Sequence, residues 1–497
     1  MKKIALIPVD ARPVTYDLPI NLAKLAKWEV LAPEKEDLGY LKTPANFDRL
    51  FSWMEKMAKE VEGFVISMDM LLYGGLVPSR INTDSDQVIA ERLQRLLSLK
   101  ESYPALSLMV FSSTMRLSNS YVNEEEKDYW SEYGKEIWKY SYYTHKYLKY
   151  GLSTDQKIVE EMKQIIPEDI LLDYEETRKR HFTFNQSFVQ YVENGVFDLL
   201  VFPQDDTSAY GLNIQEQEYL HKMVRNRQLF DDVLIYPGAD EVASVLMARM
   251  IYSLEGEEIP RFYPVYSGVK GSLSYARYED RPLQESVKGQ IHALGGHTVE
   301  GLEDAHILLG VNVPGEAQGD HALQEDLNRV NTQDRNVSEW IRKLRYYHTK
   351  GFPIAIADVA YANGADQVMV PELLSDFQPN QLAAYAAWNT AGNTIGTVVA
   401  HASLYYLAKK KGEFLEEHHE IEIMLRFLDD YLYQSIVRQE VRQVIDEQKE
   451  GKKLLALVQN TFREKGQHFI KETGSSVEIA NIYLPWNRTF EIGMILK

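Results

Sequence analysis

The chain contains no cysteine. Disulfides, thiolate metal sites and cysteine nucleophiles are therefore excluded at once. Basic residues are scarce beside acidic ones: 54 Lys and Arg stand against 73 Asp and Glu, a formal net charge of −19. No block of Lys and Arg forms a phosphate-tracking stripe. Nucleic acid and anionic membrane surfaces are thereby disfavoured as partners, since both are bound by neutralising phosphates. Long hydrophobic runs are missing too, so no segment reads as a bilayer span. The opening Met1-Lys2-Lys3-Ile4-Ala5-Leu6-Ile7-Pro8-Val9-Asp10 imitates a signal peptide. Pro8 interrupts its apolar run and Asp10 ends it short of a signal-peptide core. It reads as a first buried strand, and a cytoplasmic location is the expectation. Histidine is sparse, 12 in all, which tells mildly against zinc. The P-loop, the dinucleotide Gly-x-Gly-x-x-Gly, the zinc-helix His-Glu-x-x-His and the Gly-x-Ser-x-Gly elbow are all absent.

What is present is a chain of 497 residues, 45% apolar and 26% charged, able to bury a large core. Nine short apolar runs recur, at 3–9, 28–32, 63–68, 106–112, 199–202, 233–236, 262–266, 306–311 and 353–357. Most are continuous rather than alternating, the pattern of strands buried on both faces. Amphipathic stretches at 47–58, 86–99 and 215–225 lie between them. This alternation predicts an α/β fold with a mostly parallel sheet. A (β/α)8-like barrel with one extra strand is favoured; two doubly wound lobes meeting near residue 256 are the alternative. An α/β catalytic region over 1–410 is expected, carrying an aromatic helical insert at 120–196. A helical region with a short tail follows over 411–497.

Ligands of parallel α/β folds bind beyond the C-terminal ends of strands. The residues that follow the apolar runs are therefore the site candidates: Asp10 and Arg12, Asp69, Arg116, Asp205 and Asp206, Asp240, Asn312, and Asp358 with Asn363. Any one Asp here reads as readily as a helix cap. Their recurrence along one sheet edge is harder to explain that way, and crowded carboxylates raise one another's pKa toward values useful for acid catalysis. The sharpest signal is Val201-Phe202-Pro203-Gln204-Asp205-Asp206-Thr207. Asp205 and Asp206 are either a solvent-facing residue and a cap for the next helix, or two catalytic carboxylates or metal ligands. Glu241, after Pro237-Gly238, reads as the acidic first turn of a helix. Trp388-Asn389-Thr390-Ala391-Gly392-Asn393-Thr394 sets small polar side chains inside an apolar stretch. Buried Asn389 and Asn393 need partners, either local backbone or a polar ligand on which Trp388 stacks. His401 reads as a core histidine. The aromatic insert reads as packing, with a lid that stacks on sugar rings as its other reading.

Five motifs carry a resemblance that runs along the whole chain: Pro8-Val9-Asp10-Ala11-Arg12-Pro13, Asp205-Asp206-Thr207, residues 357–366 (Ala-Asp-Val-Ala-Tyr-Ala-Asn-Gly-Ala-Asp), Trp388-Asn389-Thr390-Ala391-Gly392-Asn393-Thr394 and Leu484-Pro485-Trp486-Asn487-Arg488. With them the chain resembles a bacterial family catalogued as domain of unknown function 4127, which lends no activity. A second resemblance is local. The Asp pair at a strand end, with later Asn- and Trp-bearing segments, is similar to the retaining N-acetylglucosaminidases that remove O-linked GlcNAc. It implies that Asp205 orients the substrate's acetamido group and Asp206 is the general acid. The strand count and the spacing of the later segments depart from that pattern.

The leading expectation is a glycoside hydrolase that uses paired aspartates on a small-molecule or oligosaccharide substrate. It needs no cofactor and no metal. Asp10, Arg12, Asp69, Arg116, Asp240, Asn312, Asp358, Asn363, Trp388, Asn389 and Asn393 are its expected substrate-binding residues. A Mg²⁺- or Mn²⁺-dependent hydrolase or lyase, with Asp10, Asp69, Asp205 and Asp240 as hard ligands, is the second reading. A non-catalytic sugar- or metabolite-binding protein is the third. Self-association into a homo-oligomer stays open.

Overall fold

The structure is a computed structural model and describes residues 2–497. All nine apolar runs form strands, but they do not close into a barrel. They divide between two open sheets in two compact units, one built from residues 2–11 and 30–243 and the other from 12–29 and 244–497.

The first unit holds β1 (Lys3–Ile7), β2 (Glu29–Leu31), β3 (Gly63–Ser67), β4 (Ser107–Phe111), β5 (Leu199–Gln204) and β6 (Val233–Pro237), in the order β2-β1-β3-β4-β5-β6. The pairs from β1 through β6 run parallel. Every residue of β3, β5 and β6 is buried. This accounts for their unbroken apolar runs, because helices cover both faces. The insert after β4 folds into three helices, Trp130–Tyr150, Ser153–Ile165 and Glu168–Glu193. Ile137, Tyr140, Val159, Met162 and Tyr174 form their own small core.

The second unit holds β7 (Phe262–Tyr266), β8 (Ile307–Asn312), the short β9 (Gly319–Asp320), β10 (Ile354–Asp358), the short β11 (Tyr361–Ala362), β12 (Ala384–Ala386) and the hairpin of β13 (Ile479–Tyr483) with β14 (Gly493–Leu496). Its main sheet has the order β12-β10-β8-β7, with all three pairings parallel. The barrel expectation fails because β7 begins a new sheet: it pairs with β8 and lies at the edge of the four-stranded sheet. Two open parallel sheets, the alternative, are what form. β12 was not legible because three residues, Ala-Tyr-Ala, carry little hydrophobic signal.

The C-terminal region is helical: Glu416–Arg426, a π-helix over Phe427–Val437, Arg438–Val444 and Glu447–Glu472. Its apolar side chains share one core with the four-stranded sheet, in which Leu308, Trp340, Ile356 and Tyr385 lie among Ile423, Phe427, Val458 and Phe462. Gly310 sits at the centre of that packing. A Cβ there would stand 2.8 Å from Leu344, 2.9 Å from Ile356 and 2.9 Å from Trp340. Gly310→Ala is therefore expected to overpack the sheet–helix layer and cost about 1–3 kcal/mol. A urea midpoint unchanged from wild type would show that this layer can yield.

Candidate acidic site at the end of β5

The six-stranded sheet brings the ends of β1, β3, β4, β5 and β6 to one edge, and Asp10, Asp69, Arg116, the Asp205–Asp206 pair and Asp240 follow those ends. Burial separates them. Asp69 is fully buried in the first turn of the helix Met68–Tyr73. Its Oδ2 accepts from the Ser113 amide at 2.9 Å, and its Oδ1 lies 3.3 Å from His181 Nε2. His181 in turn stacks on Tyr73, and Asn185 joins it to Ser112. Asp69 thus ties the end of β3 to the segment after β4 and to the long helix Glu168–Glu193. Asp10 and Asp240 are also buried. Glu241 folds back over its own turn, where its Oε2 accepts from the Ala239 amide at 2.9 Å. Gly238 (φ +137°) leaves room for that carboxylate, as no residue with a Cβ would.

The Asp205–Asp206 pair is different. A role in capping the next helix is overturned: that helix starts only at Leu212, and its Gly211 N-cap receives no side-chain cap. The insert satisfies its first amides instead, since Gly211 N–H donates to His145 Nδ1 at 3.2 Å and Leu212 N–H to Ser141 Oγ at 2.8 Å. Asp206 has φ +47°, a left-handed conformation that Asp tolerates better than most residues. Asp205 Oδ2 accepts from Arg80 at 2.6 Å, and Arg80 also pairs with Glu125 at 2.9 Å. Asp206 Oδ2 lies 3.3 Å from Arg116, which also meets Glu126 at 2.8 Å and Glu125 at 3.3 Å. Four carboxylates therefore crowd around two guanidinium groups.

Burial first, and then the charge of Asp205, push the Asp206 carboxyl up to about 6, against the opposing pull of Arg116 and Arg80. Its side chain nonetheless keeps 31% of its exposure, against 17% for Asp205. Asp206 is thus a protein-enclosed carboxyl that a ligand can still reach. Arg80, Glu125 and Glu126 were missed in the sequence. Glu124-Glu125-Glu126 looks like a solvated charge run, and only the loop after β4 turns it toward the Asp pair. Among the described residues no three His, Asp or Glu side chains converge on a metal-sized position. No described helix is long and apolar enough to cross a membrane.

The remaining candidates belong to the second unit. Asn312 and Asp358, at the ends of β8 and β10, are fully buried. Asn312 Nδ2 donates to Asp358 at 2.8 Å and to Asp366 at 3.1 Å, while Arg335 donates to Asn312 Oδ1 at 3.1 Å and to Asp366 at 2.7 Å. This enclosed network staples the strand ends and presents nothing to a ligand, so the expectation of substrate contact at Asn312 and Asp358 gains no geometric support. Asp358 is pushed up to about 7, by burial first and then by Asp366.

Asn363 and Asn389 both adopt left-handed conformations and meet through the Asn363 amide, which donates to Asn389 O at 2.9 Å. Asn393 lies in the first turn of the helix Ala391–Lys411, whose Thr390 cap accepts from its amide at 3.5 Å. Glu279, buried and pushed up to about 7 by that burial, accepts from the Gly392 amide in the same turn. Trp388 packs 5.8 Å from Phe490. Arg12 lies 3.6 Å from Glu491 and over the Trp486 ring. His401 is a core histidine, 3.3 Å from His419.

No curated protein and no solved structure matches the chain. One family profile does, described as "Protein of unknown function (DUF4127)", over residues 4–494. The match runs from end to end and takes in all five motifs: the chain belongs to the DUF4127 family.

Proposed function

We propose that the chain is a hydrolase of polyhydroxylated substrates, a glycoside hydrolase in which Asp206 protonates the leaving oxygen and Asp205 orients the reacting group. The observation that carries this reading is the setting of Asp206, a carboxyl that keeps 31% of its side-chain exposure between Asp205 and Arg116, where burial and the charge of Asp205 push it up to about 6. A general acid must hold its proton near the working pH and give it up as the bond breaks. Here the Asp206 proton passes to the glycosidic oxygen as the C–O bond breaks, leaving a carboxylate that Arg116 stabilises. With Asp205 beside it, the arrangement suits a substrate whose own acetamido group attacks the anomeric carbon, so no third carboxylate is needed. The substrate is a small molecule or oligosaccharide. A metal-dependent reading lacks converging ligands among the described residues.

The test is turnover of a panel of aryl glycosides, N-acetylglucosaminides first, as a function of pH. The active form carries the proton on Asp206, so kcat/KM is expected to fall as pH rises through about 6. Because the charge of Asp205 helps to raise Asp206, Asp205→Asn is expected to move this limb to lower pH as well as lower the rate. A limb that stays in place in Asp205→Asn, or activity that EDTA abolishes and Mg²⁺ restores, would overturn the assignment.

A further inference from the structure

Six arginines are buried: Arg12, Arg80, Arg178, Arg335, Arg426 and Arg438. Five have a carboxylate partner within the 4.0 Å of an ion pair. Arg12 meets Glu491 at 3.6 Å, Arg80 meets Asp205 at 2.6 Å, Arg178 meets Glu216 at 2.7 Å, Arg335 meets Asp366 at 2.7 Å and Arg426 meets Asp430 at 3.1 Å. Arg438, only 4% exposed, has none among the described residues. Its single hydrogen bond runs from Nη1 to Gln434 Oε1 at 3.2 Å, and its Nε finds no acceptor. Burial holds its pKa below the usual guanidinium value; Arg442 adds to that, while Tyr433, Glu491 and Glu447 pull the other way from beyond ion-pair distance, and Asp429, which accepts from the same Gln434, feels Arg438 in turn. An enclosed cation with no carboxylate at ion-pair distance is costly, and the charge of a ligand would offset that cost.

Its surroundings point the same way. The Arg438 guanidinium lies 4.7 Å from the centre of the Phe490 ring, against which Trp388 packs at 5.8 Å. Trp388 is 6% exposed and its Nε1–H has no acceptor, which makes it a second buried donor in want of a partner. Asn363, whose amide bonds the residue after Trp388, leaves its own Oδ1 without a donor. An oxyanion could not satisfy that atom, but a hydroxyl beside the oxyanion would. The adjoining Gly364 turn rests on the π-helix through Ser435 Oγ, which donates to Ala365 O at 3.0 Å. Two family motifs, those around Asn363 and Trp388, meet here, and a third reaches the same ring through Arg488, whose guanidinium lies 5.3 Å from the centre of Phe490; the acidic site uses none of them.

We propose that Arg438, with the Trp388 indole N–H and the Phe490 ring beside it, forms a binding site for an oxyanion, the carboxylate or phosphate of a small hydroxylated molecule. The site is independent of the acid chemistry assigned to Asp206.

The test is a thermal-shift titration of the full chain with sodium phosphate and, separately, sodium glucuronate, against sodium chloride at matched ionic strength and against glucose. A saturable rise in melting temperature is expected with at least one of the two oxyanions and with neither control. Which of the two acts tells phosphate from carboxylate. Arg438→Met is expected to weaken the effect about thirtyfold or more, as does removing one partner of a buried charge pair. Its ligand-free melting temperature should equal or exceed that of wild type, because a buried cation with no partner at ion-pair distance has been removed. A merely structural arginine would give the opposite, a lower melting temperature and an unchanged titration. Should Arg438→Met fail to fold, Trp388→Phe decides: it keeps the ring, deletes one donor and is expected to weaken binding roughly fivefold. No saturable oxyanion effect in wild type, or variants that titrate as wild type does, would overturn the proposal.

Discussion

Asp206→Asn is expected to lower kcat on a substrate with a poor leaving group by about 10²–10⁴, the usual worth of general acid catalysis. The amide keeps the size and shape of the side chain but cannot transfer the proton. An activated phenol leaves without help, so aryl substrates should lose much less. Asp205→Asn should harm both substrate types alike, because orienting the nucleophile matters whatever departs. The fold should survive Asp206→Asn. The carboxylate keeps part of its exposure, so its contact with Arg116 resembles the partly solvated pairs whose loss costs little. Equal loss on poor and activated leaving groups would remove Asp206 from the acid role.

Arg335→Met is expected to be the most damaging substitution to stability, by about 3–5 kcal/mol, the usual result of stripping one member from a buried ionic group. Arg335 is the cation that the buried Asp366 and Asp358 share, and it also bonds Asn312 and Asn331. Their side chains are buried, 2% exposed at Arg335 and 0% at Asp366, so solvent screens the loss little. The pH dependence follows from Asp358. Its pKa in the fold is raised to about 7, so its contribution to stability is fully present below the unfolded value and is lost as pH rises through about 7. Arg335 works against that rise, and without it the loss should grow. The deficit of Arg335→Met in urea unfolding should therefore be larger at pH 8 than at pH 5. A deficit under about 1 kcal/mol, the scale of an exposed pair, would mean that water reaches these groups.

The strands were legible because burial on both faces leaves continuous apolar runs, and all nine runs form. How they group was not. The same β–helix rhythm serves a barrel and a pair of open sheets, and the decision turns on which edge β7 pairs with, a long-range contact that leaves no local trace. The Asp205–Asp206 pair was legible because two acids directly after a buried strand are conspicuous. Arg80 and Glu125 were not, since a short helix after Gly75 and a loop after β4 bring them there across many residues. Asn312 and Asp358 show the limit of strand-end position as a signal. They sit at strand ends as a ligand-binding residue would, but Arg335 and Asp366 close over them, and strand-end position alone does not tell a staple from a site. Arg438 gave no signal at all, because an unpaired buried cation becomes visible only when its surroundings are seen.

The most direct measurement is a ¹³C NMR titration of side-chain carboxyls in the free protein, with the Asp206 resonance assigned by its absence from Asp206→Asn. It needs no substrate. A midpoint near pH 6 is expected in wild type, and it should move lower in Asp205→Asn as the neighbouring charge disappears. A midpoint near the ordinary Asp value of about 3.9, indifferent to Asp205, would contradict the assignment of Asp206 as the proton donor.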